Sequence, residues 1–220
     1  MSKSLVLSGP TRGRLSWRGL MAMIALALCA VPVVQATTVL APTFEEMVDG
    51  ADCIVRARVT EVSSYEEPRG KKTVIRTRVT LDVIETIAGE PPTPLVLTLL
   101  GGRVGERELR VAGVPMFIVG QEEIFFVKDN GKAFYPTYAV MHGRYPVRRD
   151  KATGREYLTR SNGVPLTDTA EIATPMPEGA AAGLQRRARS VSDALSPQEF
   201  ATRVRAVREG REAKGGVHAK

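Results

Sequence analysis

The sequence predicts a mainly β protein: a small, closed or nearly closed antiparallel barrel with an N-terminal capping helix and a C-terminal helix. Three observations predict it. Between Lys72 and Gly105, Ile75, Thr77, Val79, Leu81 and Val83 share one strand face, while Arg76, Arg78, Thr80 and Asp82 share the other. That is the period-2 pattern of a half-buried strand. Short apolar segments separated by Gly, Pro, Asn and Asp recur from Asp52 to Thr159, as strands wound into a barrel require. Two capping boxes, Thr43-Phe44-Glu45-Glu46 and Ser196-Pro197-Gln198-Glu199, bracket this region and open helices.

A chain of 220 residues with 43% hydrophobic and 25% charged residues suffices for one core. Aromatics at 5% make that core mostly aliphatic. Residues 1–36 read as a signal peptide. Lys3, Arg12, Arg14 and Arg18 precede the apolar run Leu20 to Val34, which ends at the small-residue site Val34-Gln35-Ala36. Cleavage is expected after Ala36, giving a secreted or periplasmic protein that starts at Thr37. The run is shorter than the roughly 20 residues of a membrane span, so membrane contact is expected only through an uncleaved signal segment. Cys29 leaves with that segment and Cys53 remains, so no internal disulfide is expected. Cys53 shares strand parity with Val55, Ala57 and Val59 and reads as a small buried hydrophobe.

The formal charge of +7 divides unevenly along the chain. The signal segment supplies four positive charges, residues 181–220 carry nine cations against four acids, and the body between is slightly acidic. A global basic field is excluded, and nucleic acid is not an expected partner.

Taken in order, Phe44 to Val48 or Asp49 is the first helix, with Phe44, Met47 and Val48 buried and Gly50 ending it. Asp52 to Val62 is a strand, Ser63 to Lys71 a polar loop, and Lys72 onward the second strand, broken at Ala88-Gly89-Glu90-Pro91-Pro92. Leu95 to Leu100 and Arg107 to Val111 are the next strands, followed by an apolar loop from Ala112 to Gly120. A strand from Glu123 to Lys128 enters the turn Asp129-Asn130-Gly131-Lys132. Ala133 to Met141 is a strand with an edge or bulge at Pro136. Gly143 to Val147 and Glu156 to Thr159 form a last hairpin. The barrel domain is therefore 37–160, with a linker over 161–195. A short basic helix covers 196–210, with Phe200, Val204 and Val207 on one stripe, and a tail follows over 211–220.

The segments "ADCIVRARVTEV", "TRVTLDVIETIAGE", "LTLLGGRVG", "VGQEEIFFV" and "MHGRYPV" resemble, in that order, a group of uncharacterised exported bacterial proteins. More distantly, the helix, the strand opening on Ala51-Asp52 and the strand ending before glycine are similar to the netrin-like fold of tissue inhibitors of metalloproteinases, an OB-like barrel. The resemblance implies the scaffold alone. Those inhibitors chelate zinc through an N-terminal cysteine held by disulfides, whereas this chain would begin at Thr37 and keep only Cys53. Fold does not carry function with it.

The candidate binding residues are Gly101, Gly102, Arg103 and Gly105 in the glycine loop and Met116 and Phe117 in the apolar loop. No Gly-Lys-Ser/Thr follows the glycines and no helix pattern succeeds them, which excludes a phosphate loop. They read as a positive-φ connection that lets a partner come close, with Arg103 and Arg107 as donors. Met116 and Phe117 belong to an apolar loop that can close the barrel mouth; exposed, they would instead add an adaptable apolar patch. Only His142 and His218 exist, no Gly-x-Ser-x-Gly or metal-ligand spacing appears, and the adjacent carboxylates Glu45/Glu46, Glu66/Glu67 and Glu122/Glu123 read as solvated pairs. No catalytic residue, metal ligand or cofactor is assigned. Arg56, Arg58, Arg76 and Arg78 could make a basic stripe, but no interleaved aromatics are expected there. The expected function is non-catalytic binding of another exported protein. The alternatives are a hydrolytic or other enzyme of the cell envelope, and an anionic-polymer binder acting through its arginines.

Overall fold

The computed structural model describes residues 41–111 and 116–216. The expected signal segment 1–36, the loop residues Ala112 to Pro115 and His218 lie outside the described residues.

Helix α1, Phe44–Gly50, opens on its capping box: the Thr43 N–H donates to Glu46 Oε2 at 2.8 Å, and the Glu46 N–H donates to Thr43 Oγ1 at 3.1 Å. Strands β1 (Cys53–Arg69) and β2 (Lys72–Gly89) form one long antiparallel hairpin. The polar loop expected over Ser63 to Lys71 is mostly strand, and only Gly70 (φ 61°) and Lys71 turn. Polar residues suit this length because they pair across the strands: Arg76 bonds Glu67 at 2.5 Å, and the Arg78 guanidinium lies 4.2 Å above the Tyr65 ring.

Strands β3 (Leu95–Leu100), β4 (Gly102–Val104), β5 (Arg107–Leu109), β6 (Glu122–Val127), β7 (Arg144–Arg149) and β8 (Glu156–Leu158) follow. Six strands make one antiparallel sheet in the order β3-β2-β1-β6-β7-β8, and β4-β5 is a separate ribbon. Among the described residues β3 and β8 do not pair, so the sheet is mainly antiparallel and open where a barrel would close.

Both faces of the sheet centre are buried. Ile54, Ile124, Phe126 and Tyr145 pack with Phe44, Met47, Leu158, Leu166, Ile172, Phe200 and Val204 on one side. Cys53, Val55, Ala57, Val79, Leu97, Phe125, Phe117 and Tyr135 pack on the other. Register irregularities between Arg56 and Ala57 and between Ile54 and Val55 shift the β1-β2 pairing and let Ile87 join the first side although Val79 and Leu81 face the second. Cys53 is buried, and burial with the neighbouring Asp52 pushes its thiol up to about 11.

Two further stretches differ from expectation. Ala133 to Met141 is not a strand. It follows β6 by isolated bonds, Lys128 N–H to Pro136 O (3.0 Å) and Tyr138 N–H to Phe126 O (2.8 Å), then tightens into a 3-10 turn at Val140–Gly143. Pro136 removes a donor, and Ala139 and Val140 take φ of 46° and 55°, which no strand permits. The stretch expected as a linker contains a 3-10 turn at Thr169–Ala173 and helix α2, Gly179–Ala188, and buries Leu166, Ile172 and Leu195.

Helix α3, Pro197–Gly216, starts at the Ser196/Glu199 capping box and continues past Gly210. It docks on the body. Phe200 and Val204 are buried, Arg203 pairs with Asp168 at 3.1 Å, Arg205 with Glu85, Arg211 with Asp49 at 2.5 Å, and Arg208 donates to Ala51 O at 2.9 Å. Four arginines of this basic helix are thereby matched by acids or a carbonyl of the body. No helix among the described residues is long and apolar enough to cross a membrane.

Candidate functional site

β3 leaves the sheet at Gly101, and β4 crosses the face of the β1-β2 hairpin. Gly101 and Gly102 take φ of 99° and 133°, and a Cβ on Gly102 would fall 2.3 Å from both Ser64 Oγ and Thr77 Oγ1. The bonds there run in one direction. The Arg103 N–H donates to Ser64 Oγ (3.3 Å), Ser64 and Thr77 share a hydroxyl bond (2.9 Å), and Thr77 Oγ1 donates to Gly101 O (2.7 Å). The Gly101 N–H is held by Ile75 O at 2.8 Å. The glycine rim is therefore pinned to the hairpin rather than loose. The Thr77 proton is committed to a carbonyl and the Ser64 proton to Thr77, so neither hydroxyl is poised as a nucleophile.

Between this ribbon, the hairpin and the segment at Met116 lies a groove of about 570 Å³, lined by Val62, Ser64, Thr77, Leu99, Leu100, Leu109, Val111, Gly101, Gly102, Arg103, Met116 and Phe117, with Glu108 and Arg110 also in its wall. Its volume is that of a ligand or side-chain pocket. Of the six residues singled out from the sequence, Gly101, Gly102, Arg103, Met116 and Phe117 meet here. Gly105 does not: it forms the β4-β5 turn at φ 57°, with open space around it.

Met116 and Phe117 divide the work expected of them jointly. Met116 is 85% exposed, and with Ile118 (60%) and Val119 (59%) it forms an apolar stretch at the surface. Phe117 is 8% exposed and belongs to the core, its ring stacked on Phe125 at 6.0 Å. An exposed Phe117 patch does not exist, because an arginine holds this ring in place. The Arg144 guanidinium sits 3.9 Å above the Phe117 ring, donates to Glu123 at 2.7 and 2.8 Å and to Tyr135 Oη at 3.0 Å, and reaches Met116 O at 3.4 Å. Arg144 is 4% exposed and Glu123 fully buried. Burial opposes the Arg144 charge, but Glu123 overrides it and holds the guanidinium pKa above its usual value. Burial, aided by Glu123 and only partly offset by the Arg144 charge, pushes the Tyr135 phenol up to about 12, a neutral donor and acceptor.

Sequence reasoning missed this cluster. Glu122 and Glu123 read as a solvated pair, yet opposite strand faces send Glu123 into the core and Glu122 to Arg56 and Arg58. The one available signal was parity: Glu123 shares it with Phe125 and Val127, which the apolar β6 pattern marks as inward. The expected basic stripe is also dissolved, with Arg56 buried between Glu122 and Glu156 and Arg58 on Glu122. Tyr65 supplies an aromatic on the hairpin that had not been expected, occupied by Arg78.

His142 lies in the 3-10 turn, is buried and lines no part of the groove. Burial, then the charge of Arg160, pushes its pKa down to about 4, so it is neutral at physiological pH. Among the described residues no three His, Cys, Asp or Glu side chains are grouped to hold a metal.

The tight contact at Gly102 yields a prediction. Gly102→Ala is expected to cost about 1–3 kcal/mol and to split the Ser64–Thr77 contact, measured as a lowered urea midpoint with an unchanged m-value; Gly105→Ala, in open space, serves as the comparison. Equal midpoints for the two variants would show that the close approach is not required.

Comparison with protein-family models and with curated protein sequences finds no match.

Proposed function

We propose that this chain is an exported, non-catalytic binding module that takes another exported protein at the groove between the β4-β5 ribbon and Met116. One observation carries the reading. Five residues from two separate segments, Gly101, Gly102, Arg103, Met116 and Phe117, line a single apolar groove of about 570 Å³. Its floor is tied together by the bonds among Ser64, Thr77 and Gly101, and its rim carries an exposed methionine beside Ile118 and Val119, the adaptable apolar contact that protein interfaces use. The signal-like residues 1–36 support export. We take the sheet as a partly open OB-like barrel, supported by a meander β1-β2-β3 whose first strand also pairs with β6.

The test is Met116→Asp. It places a charge on the rim and, being on the surface, is expected to change stability by less than about 0.5 kcal/mol. Affinity for a protein partner, first identified by crosslinking through a photoreactive group at position 118, is expected to fall at least about tenfold. Unchanged affinity in a folded variant would remove the groove from the interface.

A further inference from the structure

The β1-β2 hairpin outruns the rest of the sheet. β6 pairs with β1 from Cys53 to Arg58, and two more bonds, Val59 N–H to Gln121 O (2.9 Å) and Gly120 N–H to Val59 O (2.8 Å), end that pairing at Val59. β1 continues to Arg69 with β2 as its ladder partner. Among the described residues no strand lies along its other side beyond Val59. A strand edge in this state presents backbone N–H and C=O groups ready to pair. Pro68 has no N–H to offer, which confines the usable run to Glu61 through Glu67.

The other two edges of the sheet are treated differently. On β3, the Asn130 side chain accepts from the Thr98 N–H (2.9 Å) and donates to Val96 O (2.8 Å), and the Leu100 N–H donates to Phe134 O (2.8 Å). On β8, the Leu158 N–H donates to Leu195 O, and its carbonyl accepts from the Leu166 N–H. Both outer edges are thus covered by the protein's own chain. β2 also continues beyond its pairing with β3, from Asp82 to Gly89, but the open edge of β1 is the one that borders the groove, because Val62 and Ser64 of β1 are part of the groove wall.

We infer that the partner binds by strand addition: an extended segment of another protein pairs with β1 over Glu61 to Glu67 and drops alternate side chains into the groove. This mode rests on the groove reading above and sharpens it. Backbone pairing supplies the affinity, and the pocket beside every second residue supplies the selectivity. The side chains facing the groove would be apolar, since Val62, Leu109 and Met116 meet them. Charge sets one further preference. Glu66 is paired with Arg107 at 2.7 Å and Glu67 with Arg76, while Glu61 is exposed and makes no ion pair among the described residues. A lysine or arginine of the incoming segment belongs opposite Glu61.

A random dodecapeptide library displayed on phage and selected on the whole protein supplies the probe. The strongest peptide is then made in three forms: unmodified, N-methylated at its odd residues, and N-methylated at its even residues. In strand addition only alternate amides face the host strand. One N-methylated form is therefore expected to lose at least about tenfold in affinity, the other to stay within about twofold of the parent, and hydrogen exchange at β1 amides between Glu61 and Glu67 to slow on binding. Loss in both forms or in neither overturns strand addition while leaving the groove in place. Unweakened binding of the unmodified peptide to Met116→Asp overturns the groove reading itself. Failure to enrich any peptide overturns both. A concentration-dependent dimer in sedimentation velocity that slows exchange at the same β1 amides overturns the assignment to another protein, giving the edge to a second copy of this chain.

Discussion

Arg144→Met is expected to cost about 3–5 kcal/mol of folding stability, the scale on which one charge of a buried pair is left without its partner. Glu123 is fully buried and receives both of its strong bonds from this guanidinium, at 2.7 and 2.8 Å. Removing the arginine leaves a carboxylate in the core. The same change releases Tyr135 Oη, Phe117 and Met116 O from one group, so the groove rim should lose its order along with the core. Urea unfolding followed by far-UV circular dichroism measures the first effect; the sequence has a single tryptophan, Trp17, inside the expected signal segment, so tryptophan fluorescence is of no use. The double variant Glu123→Leu, Arg144→Met should recover part of the loss, because an apolar pair needs no compensation. A single-variant loss below about 1 kcal/mol would show that water reaches Glu123 and that the pair is not a core element.

Phe200→Ala is expected to cost about 3–5 kcal/mol. The ring is fully buried and meets Phe44 at 5.4 Å, Tyr145 at 5.0 Å and Phe126 at 6.0 Å between centroids. It is the point where α3, α1 and the sheet share one contact, so its removal empties the centre of that core and loosens the docked helix together. Limited trypsin digestion is the check: the bonds after Arg203 and Arg205, held in ion pairs with Asp168 and Glu85 in the intact protein, should become cleavable in the variant. A small stability loss with α3 still protected would mean that its arginine pairs, not Phe200, hold the helix down.

The two changes also separate the two faces of the sheet. Arg144 and Phe117 belong to the face beneath the groove, Phe200 to the face beneath the helices. Arg144→Met should therefore disturb peptide binding in the folded fraction, and Phe200→Ala should lower stability while leaving that affinity close to the parent's.

Much of the fold was legible because its signals are local. The capping boxes at Thr43 and Ser196, the alternation along β2 and the Asp129-Asn130-Gly131 turn each follow from neighbouring residues. Errors arose where a partner far along the chain changed the meaning of a residue. Ser63 to Arg69 is polar on both faces, which reads as loop until β2 is placed beside it and Arg76 and Arg78 find Glu67 and Tyr65. The stretch after Ser161 reads as linker by composition, yet Leu166, Ile172 and Leu195 are buried among residues of α1, β6 and α3. In the site, the glycines and Met116 were found from their own chemistry. Arg144 and Glu123 were not, since nothing in either segment signals the other.

The sequence by itself determined a mainly antiparallel β protein, the two capped helices, the burial of Cys53, and the residues worth watching at Gly101 to Arg103 and at Met116. The tertiary structure alone decided that those segments share one groove, that Phe117 is held inside by a buried arginine, that Phe200 is buried by the docking of α3, that the sheet is open among the described residues, and that β1 overhangs its neighbour. The physical reason is range. Periodicity, capping and turn preference act within a few residues, whereas a groove, a buried ion pair and an unpaired strand edge are properties of segments brought together from different parts of the chain.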